Sequence, residues 1–272
     1  MKTIITTTNF SGSAANATNY ACEFAMEYNC NIVLAHIYTI PASYAAEGVT
    51  LATINDAFET GAERLKEAAD QLKNKYPRLP IEAKMMTGDI LESLQELRKD
   101  TDAELIIMGA PDEYSGLWQW DDDWLNALVT ISCPVMVIPQ HITYHPLDNI
   151  AFASDYLKPD LPEHTDIIKK LARLTAARFH IVHVTGTPAR IENNKNYLAL
   201  KDNFSEMQPE YHIVENKLII KGLAAFIQQY SIDLLLVIPR KHGLWHNFFN
   251  KSNTKKLALL NYIPIMVIHE NN

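Results

Sequence analysis

The sequence has few cysteines, no long apolar runs and no catalytic signature. Cys22, Cys30 and Cys133 are its three cysteines. An odd number in no metal-ligand spacing fits buried free thiols in a reducing compartment. No basic cluster or helix start lies near them to activate a thiolate. No apolar run reaches the roughly 18–20 residues that a membrane span needs. The opening "MKTIITTTNF" carries one lysine and a strand-like alternation. It lacks a signal peptide's apolar block, so the expected location is the cytoplasm. The sequence offers neither a nucleophile with a base and an orienting group nor paired carboxylates in a supporting context, and so assigns no enzymatic reaction.

What is present fits a globular chain of 272 residues, 47% hydrophobic and 21% charged. The net charge is 24 − 32 = −8, which argues against non-specific nucleic-acid binding, since that rests mainly on phosphate neutralisation. The charge is uneven. Residues 1–145 hold nine Lys/Arg and twenty Asp/Glu, a net of −11, and residues 146–272 hold fifteen and twelve, a net of +3.

The chain repeats itself once. "DAELIIMGAP" (Asp102–Pro111) and "CPVMVIPQ" (Cys133–Gln140) find counterparts in "SIDLLLVIPR" (Ser231–Arg240) and "IPIMVIHE" (Ile263–Glu270). Gly109 to Pro134 is 25 residues and Ile238 to Pro264 is 26; Asn9 to His36 is 27 and Asp155 to His183 is 28. Matched spacing at four anchors indicates duplication of a domain-sized unit. Each copy alternates strand-like apolar runs ("NIVLAHIY", "FHIVHV") with helical patterns, which include "DILESLQELRKD" and "IENNKNYLALKDNF". Such alternation predicts right-handed crossovers and a parallel sheet covered on both faces. "QHITYHPLD" (Gln140–Asp148) reads as the linker, which places domains at 1–143 and 146–272.

Each copy resembles the universal stress protein domain, and together they resemble its tandem form. The carriers are "ITTTNFS", "LAHIY", "IVHVT", "TGDILESL", "AELIIMG", "CPVMVIP" and the terminal "RKHGLWHNFFNKSNTKKLALLNYIPIMVIHE". The resemblance implies two flavodoxin-like (Rossmann-like) α/β domains, each with five parallel strands in the order 3-2-1-4-5. It further implies a pseudo-twofold pair of domains within the chain, as in dimers of single-domain members, and leaves a homodimer open. Many members of the family bind ATP through G-x-x-G-x9-G-S/T after the fourth strand, where glycines let backbone N–H groups approach phosphate at a helix start.

The first copy departs from that motif. Gly109 supplies the first glycine, Asp112 replaces the second, and Asp122-Asp123 replaces Gly-Ser (Asp123-Trp124 if Gly116 is an insertion). Five acids and no base lie between Gly109 and Trp124. Each like-charge pair at ~4 Å costs about 1–4 kcal/mol. Asn9 stands where the family's strand-one Asp contacts adenine, so the expectation is that this half has lost ATP. The aspartates suit a solvated helix start better than a Mg²⁺ or Ca²⁺ site, and Trp118, Trp120 and Trp124 suit packing or a protein partner.

The second copy keeps Asp155 after Ala153 and Ser154, but Ile238 replaces the first glycine and Lys251-Ser252 replaces Gly-Ser. Between Pro239 and Lys256 stand Arg240, Lys241, Lys251, Lys255 and Lys256 with no acid, and with His242 and His246 beside them. A basic loop that leads into a helix can hold an anion. Ala153, Ser154, Asp155, Arg240, Lys241, His242, Lys251 and Ser252 are therefore the candidate ligand residues. Asn9, Gly109, Asp112, Asp122 and Asp123 form the degenerate site. No metal site is expected, and His36 and His183 read as core histidines. The functional expectation is a non-enzymatic stress-response or regulatory module acting through a ligand or a protein partner. The alternatives are ATP, or another phosphorylated ligand, bound with slow hydrolysis in the C-terminal half only, and an apolar ligand.

Overall fold

Runs of β-branched and apolar residues make the strands, and small residues let the first helix lie close upon them. The computed structural model describes residues 1–39, 50–110, 130–154, 162–186, 194–238 and 263–268. The chain divides into two compact units, Met1–Tyr144 and His145–Asn272.

The described elements of the first unit are β1 (Thr3–Thr7), α1 (Gly12–Tyr28), β2 (Asn31–Tyr38), α2 (Leu51–Lys75), β3 (Ile81–Thr87), α3 (Ile90–Thr101), β4 (Leu105–Gly109) and β5 (Val135–Ile138). All its strand pairs are parallel, in the order β3-β2-β1-β4-β5. The inner strands are mostly buried, with Ile4, Ile5, Leu34, Ile106 and Ile107 inaccessible, as expected of a parallel sheet with helices around it, whereas the edge strand β3 carries Glu82, Lys84 and Thr87 and buries only Ile81. Helix α1 starts at the N-cap Ser11, whose hydroxyl accepts from the Ala14 N–H, and ends at Asn29 in the left-handed region. It buries Ser13, Ala14, Ala17, Ala21 and Ala25, a stripe slim enough to bring its backbone close to β4. Helix α3 is capped by Asp89, which accepts from the Glu92 N–H at 3.0 Å.

The second unit runs β6 (Asn149–Ala153), α4 (Pro162–Thr175), β7 (Arg178–Thr185), α5 (Lys195–Asn203), β8 (Glu210–Glu215), α6 (Ile219–Gln229), β9 (Leu234–Val237) and β10 (Ile265–Val267). Its pairs are again parallel, in the order β8-β7-β6-β9-β10. Helix α5 begins later than the run "IENNKNYLALKDNF" suggests. The side chain of Asn194 accepts from the Asn196 and Tyr197 N–H groups, so Asn194 is the cap and Lys195 the first helical residue.

Equivalent backbone bonds recur within each unit. Asn31 N–H donates to Lys2 O at 2.8 Å, and Arg178 N–H to Asp148 O at 2.8 Å. Ile106 N–H donates to Pro134 O at 3.0 Å, and Leu235 N–H to Pro264 O at 3.1 Å. The left-handed turns match too: φ is 53° at both Asn29 and Ala176, and 48° and 49° at Asp102 and Ser231. Residues 140–148, read from composition as a linker, contain no helix or strand, and those up to Tyr144 are held to the first unit. Asn16 Nδ2 donates to Pro139 O at 3.0 Å and Ile142 O at 2.9 Å, and Tyr144 OH donates to Glu27 Oε2 at 2.6 Å.

Candidate functional site

In an open parallel sheet, ligands gather at the carboxyl ends of the strands where the strand order reverses. In the first unit that place lies between β1 and β4, and the residues there are committed to one another. Asn9 Oδ1 accepts from the Ser11 N–H at 3.0 Å, closing the turn into α1. Phe10 adopts φ 64°; its ring centroid lies 4.5 Å from that of His36, and the Arg64 guanidinium sits 4.3 Å over its face. His36 Nδ1 donates to Thr8 O at 2.7 Å, which fixes the imidazole as a strand-end tie. Gly109 is dictated by packing. A Cβ there would stand 2.6 Å from Ser13 Oγ, 2.7 Å from Ser13 O and 2.8 Å from Ser13 C, and the Ser13 hydroxyl donates to Ala110 O.

The second unit repeats the tie. Ser154 N–H donates to Val182 O at 3.0 Å, as Thr8 N–H does to Ala35 O at 2.9 Å. His183 Nδ1 donates to Ser154 O at 3.1 Å, the counterpart of His36 and Thr8. Both Ser154 and His183 are buried. The structure thus brings Ala153, Ser154 and His183 together at the end of β6, and Asn9, His36 and Gly109 at the end of β1. Asp112, Trp118, Trp120, Asp122, Asp123 and Trp124 lie outside the described residues, as do Asp155, Arg240, Lys241, His242, His246, Lys251, Ser252, Lys255 and Lys256.

The cysteines play no part at these strand ends. All three are buried and none is in a disulfide. Burial pushes the Cys22 and Cys133 thiols up to about 12, far from the thiolate form at neutral pH. The native chain should therefore react negligibly with a thiol reagent at pH 8 and yield all three thiols after unfolding in urea. Rapid labelling of Cys22 or Cys133 in the native chain would contradict this.

The family model for the universal stress proteins matches residues 1–139. The chain belongs to the universal stress protein family. No curated protein shows a significant match to it. A universal stress protein from Archaeoglobus fulgidus DSM 4304 has a similar structure, with a TM-score of 0.72 at 14% identity, covering 99% of this chain and 98% of that one. A functionally unknown protein from Pseudomonas aeruginosa PAO1 gives 0.58 at 17% identity, covering 99% and 92%. At such identities the likeness establishes the fold alone. It agrees with the flavodoxin-like α/β class expected from the universal stress protein resemblance. Among the described residues, no helix is long and apolar enough to cross a membrane.

One cluster escaped the sequence analysis altogether. His180 Nδ1 lies 3.1 Å from His212 Nε2 and 3.7 Å from Glu210 Oε2, and His212 Nε2 lies 3.8 Å from the same carboxylate oxygen. His180 is 30 residues from Glu210 in sequence, and only the β7–β8 register, which pairs His180 with Glu210 and Val182 with His212, brings it to Glu210 and His212. Burial holds both imidazoles below their ordinary pKa, against the opposing pull of Glu210.

Proposed function

We propose that this universal stress protein is a tandem, non-enzymatic stress-response or regulatory module that works through a ligand or a protein partner, with ATP binding lost from its first half. The observation that carries the proposal is the turn after β1. The side-chain oxygen of Asn9, at the position expected to meet adenine, is taken by the Ser11 N–H, and the Phe10 ring contacts both His36 and Arg64. Gly109, the remaining glycine of the phosphate motif, faces the backbone of Ser13. The five acids that follow add repulsion toward phosphate.

Any nucleotide would then belong to the second half, at Ser154 and Asp155 with Lys251 and Ser252. Calorimetry of the full chain with ATP and Mg²⁺ tests this. If binding occurs, Asp155→Ala should weaken it, and Lys251→Glu should weaken it by roughly 10- to 150-fold, equivalent to the loss of a charge-assisted contact worth about 1.5–3 kcal/mol. Asn9→Ala should leave it unchanged. Binding that survives both second-half variants and is lost in Asn9→Ala would overturn the assignment of the halves. Slow ATP hydrolysis that disappears with Asp155→Ala would favour the nucleotide alternative over a purely partner-binding module.

A further inference from the structure

We propose that His180, Glu210 and His212 form a binding site for a zinc-class divalent cation at the amino edge of the second unit's sheet. In a strand, alternate residues share a face, so Glu210 and His212 lie on one side of β8, and the paired His180 joins them from β7. Helix α6 packs on both strands from that side. The amino edge is the end of the sheet opposite the one where Ser154 follows β6.

The geometry suits the ion. Zinc takes nitrogen and carboxylate ligands at about 2.0–2.2 Å in a tetrahedron, which requires ligand atoms roughly 3.3 Å apart. The three observed separations are 3.1, 3.7 and 3.8 Å, so small side-chain adjustments would centre an ion among them. Two imidazoles and one carboxylate are a known three-ligand zinc set that leaves the fourth position for water or a substrate. Glu210 is 56% exposed and His212 13% exposed, while His180 is nearly inaccessible at 3%, so solvent reaches the cluster from the Glu210 side. The other wall is aromatic. The rings of Phe226 and Tyr230 lie 4.9 and 4.4 Å from that of His212.

The outer contacts fit the same role. A ligating histidine usually donates its second ring N–H to a carbonyl or carboxylate, which fixes the tautomer and the ring orientation. His180 Nε2 faces Asn149 Oδ1 at 3.5 Å, and this leaves the Nδ1 lone pair directed at the cluster. Asn149 is itself held, its Nδ2 donating to Ser231 O at 3.3 Å and its backbone N–H to Asp233 Oδ2 at 2.8 Å. Arg178, two residues before His180, opposes a cation electrostatically, while the Glu210 carboxylate favours it. The competing explanation is that the two imidazoles simply share a hydrogen bond at 3.1 Å.

The test is Zn²⁺ binding to the full-length chain after chelator treatment and dialysis, by calorimetry, with Co²⁺ absorption as a probe of coordination. The wild type should bind Zn²⁺ stoichiometrically and give tetrahedral Co²⁺ bands. His212→Gln and Glu210→Gln should each weaken binding at least about 10- to 100-fold, no less than the loss of an outer partner. They alter partly exposed side chains and should keep the wild-type circular dichroism. Asn149→Ala should weaken binding by about 10- to 100-fold and Asn149→Asp should restore it. Zn²⁺ should also raise the melting temperature of the wild type and not that of His212→Gln. Absence of stoichiometric binding, or binding that both His212→Gln and Glu210→Gln leave intact, would overturn the site and leave the histidine pair as a hydrogen bond.

Discussion

Gly109→Ala should destabilise the first unit by about 1–3 kcal/mol in urea unfolding with no ligand present. The added methyl would meet the oxygen and carbon of the Ser13 backbone at 2.7 and 2.8 Å, and a helix backbone cannot rotate aside as a side-chain tip can. Relief would require α1 to move off β4. Gly61→Ala is the control of opposite sign. There the nearest atom is the flexible Met85 Cε at 3.0 Å, and alanine gains up to about 1 kcal/mol of helix propensity over glycine. The strand itself does not demand glycine, because the matching position of the second unit holds the buried Ile238. If Gly109→Ala proved as stable as wild type, the close approach to Ser13 would not be what requires glycine. A ligand drawn close to that backbone would then become the better explanation.

That contrast shows what the sequence could and could not reveal. Strands β2 and β7 were legible as the continuous apolar runs "NIVLAHIY" and "FHIVHV", because burial on both faces removes the polar alternation. The anchors Asn9–His36 and Asp155–His183 were legible as spacings, and the histidines read as core residues do tie Thr8 O and Ser154 O. The reason for Gly109 was not legible. A glycine before an acidic loop looks like the remnant of a phosphate motif, and only the depth of Ser13 against β4 gives it a packing role. The His180–Glu210–His212 cluster was hidden for a different cause. Its members lie on two strands separated by α5, and a one-residue slip in the β7–β8 register would turn the β8 pair to the opposite face. Composition carries no information about that register.

Phe24→Ala should have the largest effect on stability, a loss of about 3–5 kcal/mol. Phe24 is fully buried on α1, with its ring 4.6 Å from that of Tyr28 and 6.2 Å from that of Tyr144. Removing it deletes a large apolar side chain and leaves a cavity that the helix cannot collapse, since Ala21 and Ala25 beside it already bring α1 close to the sheet. A domain's whole stability is typically about 5–15 kcal/mol, so the variant should unfold at much lower urea. The loss should extend to the segment after β5. Tyr144 packs edge-on against Tyr20 at 5.0 Å and against Phe24, and its hydroxyl is anchored on Glu27. Tyr144→Phe keeps the aromatic packing and removes the hydroxyl with its hydrogen bonds to Glu27 and Tyr28, of which the bond to the charged Glu27 is worth about 1.5–3 kcal/mol. Limited proteolysis separates the two effects. Phe24→Ala should expose residues 140–144 to cleavage, whereas Tyr144→Phe should leave them largely protected. Equal cleavage in both variants would mean that the hydroxyl, rather than the aromatic cluster, holds this segment to the first unit.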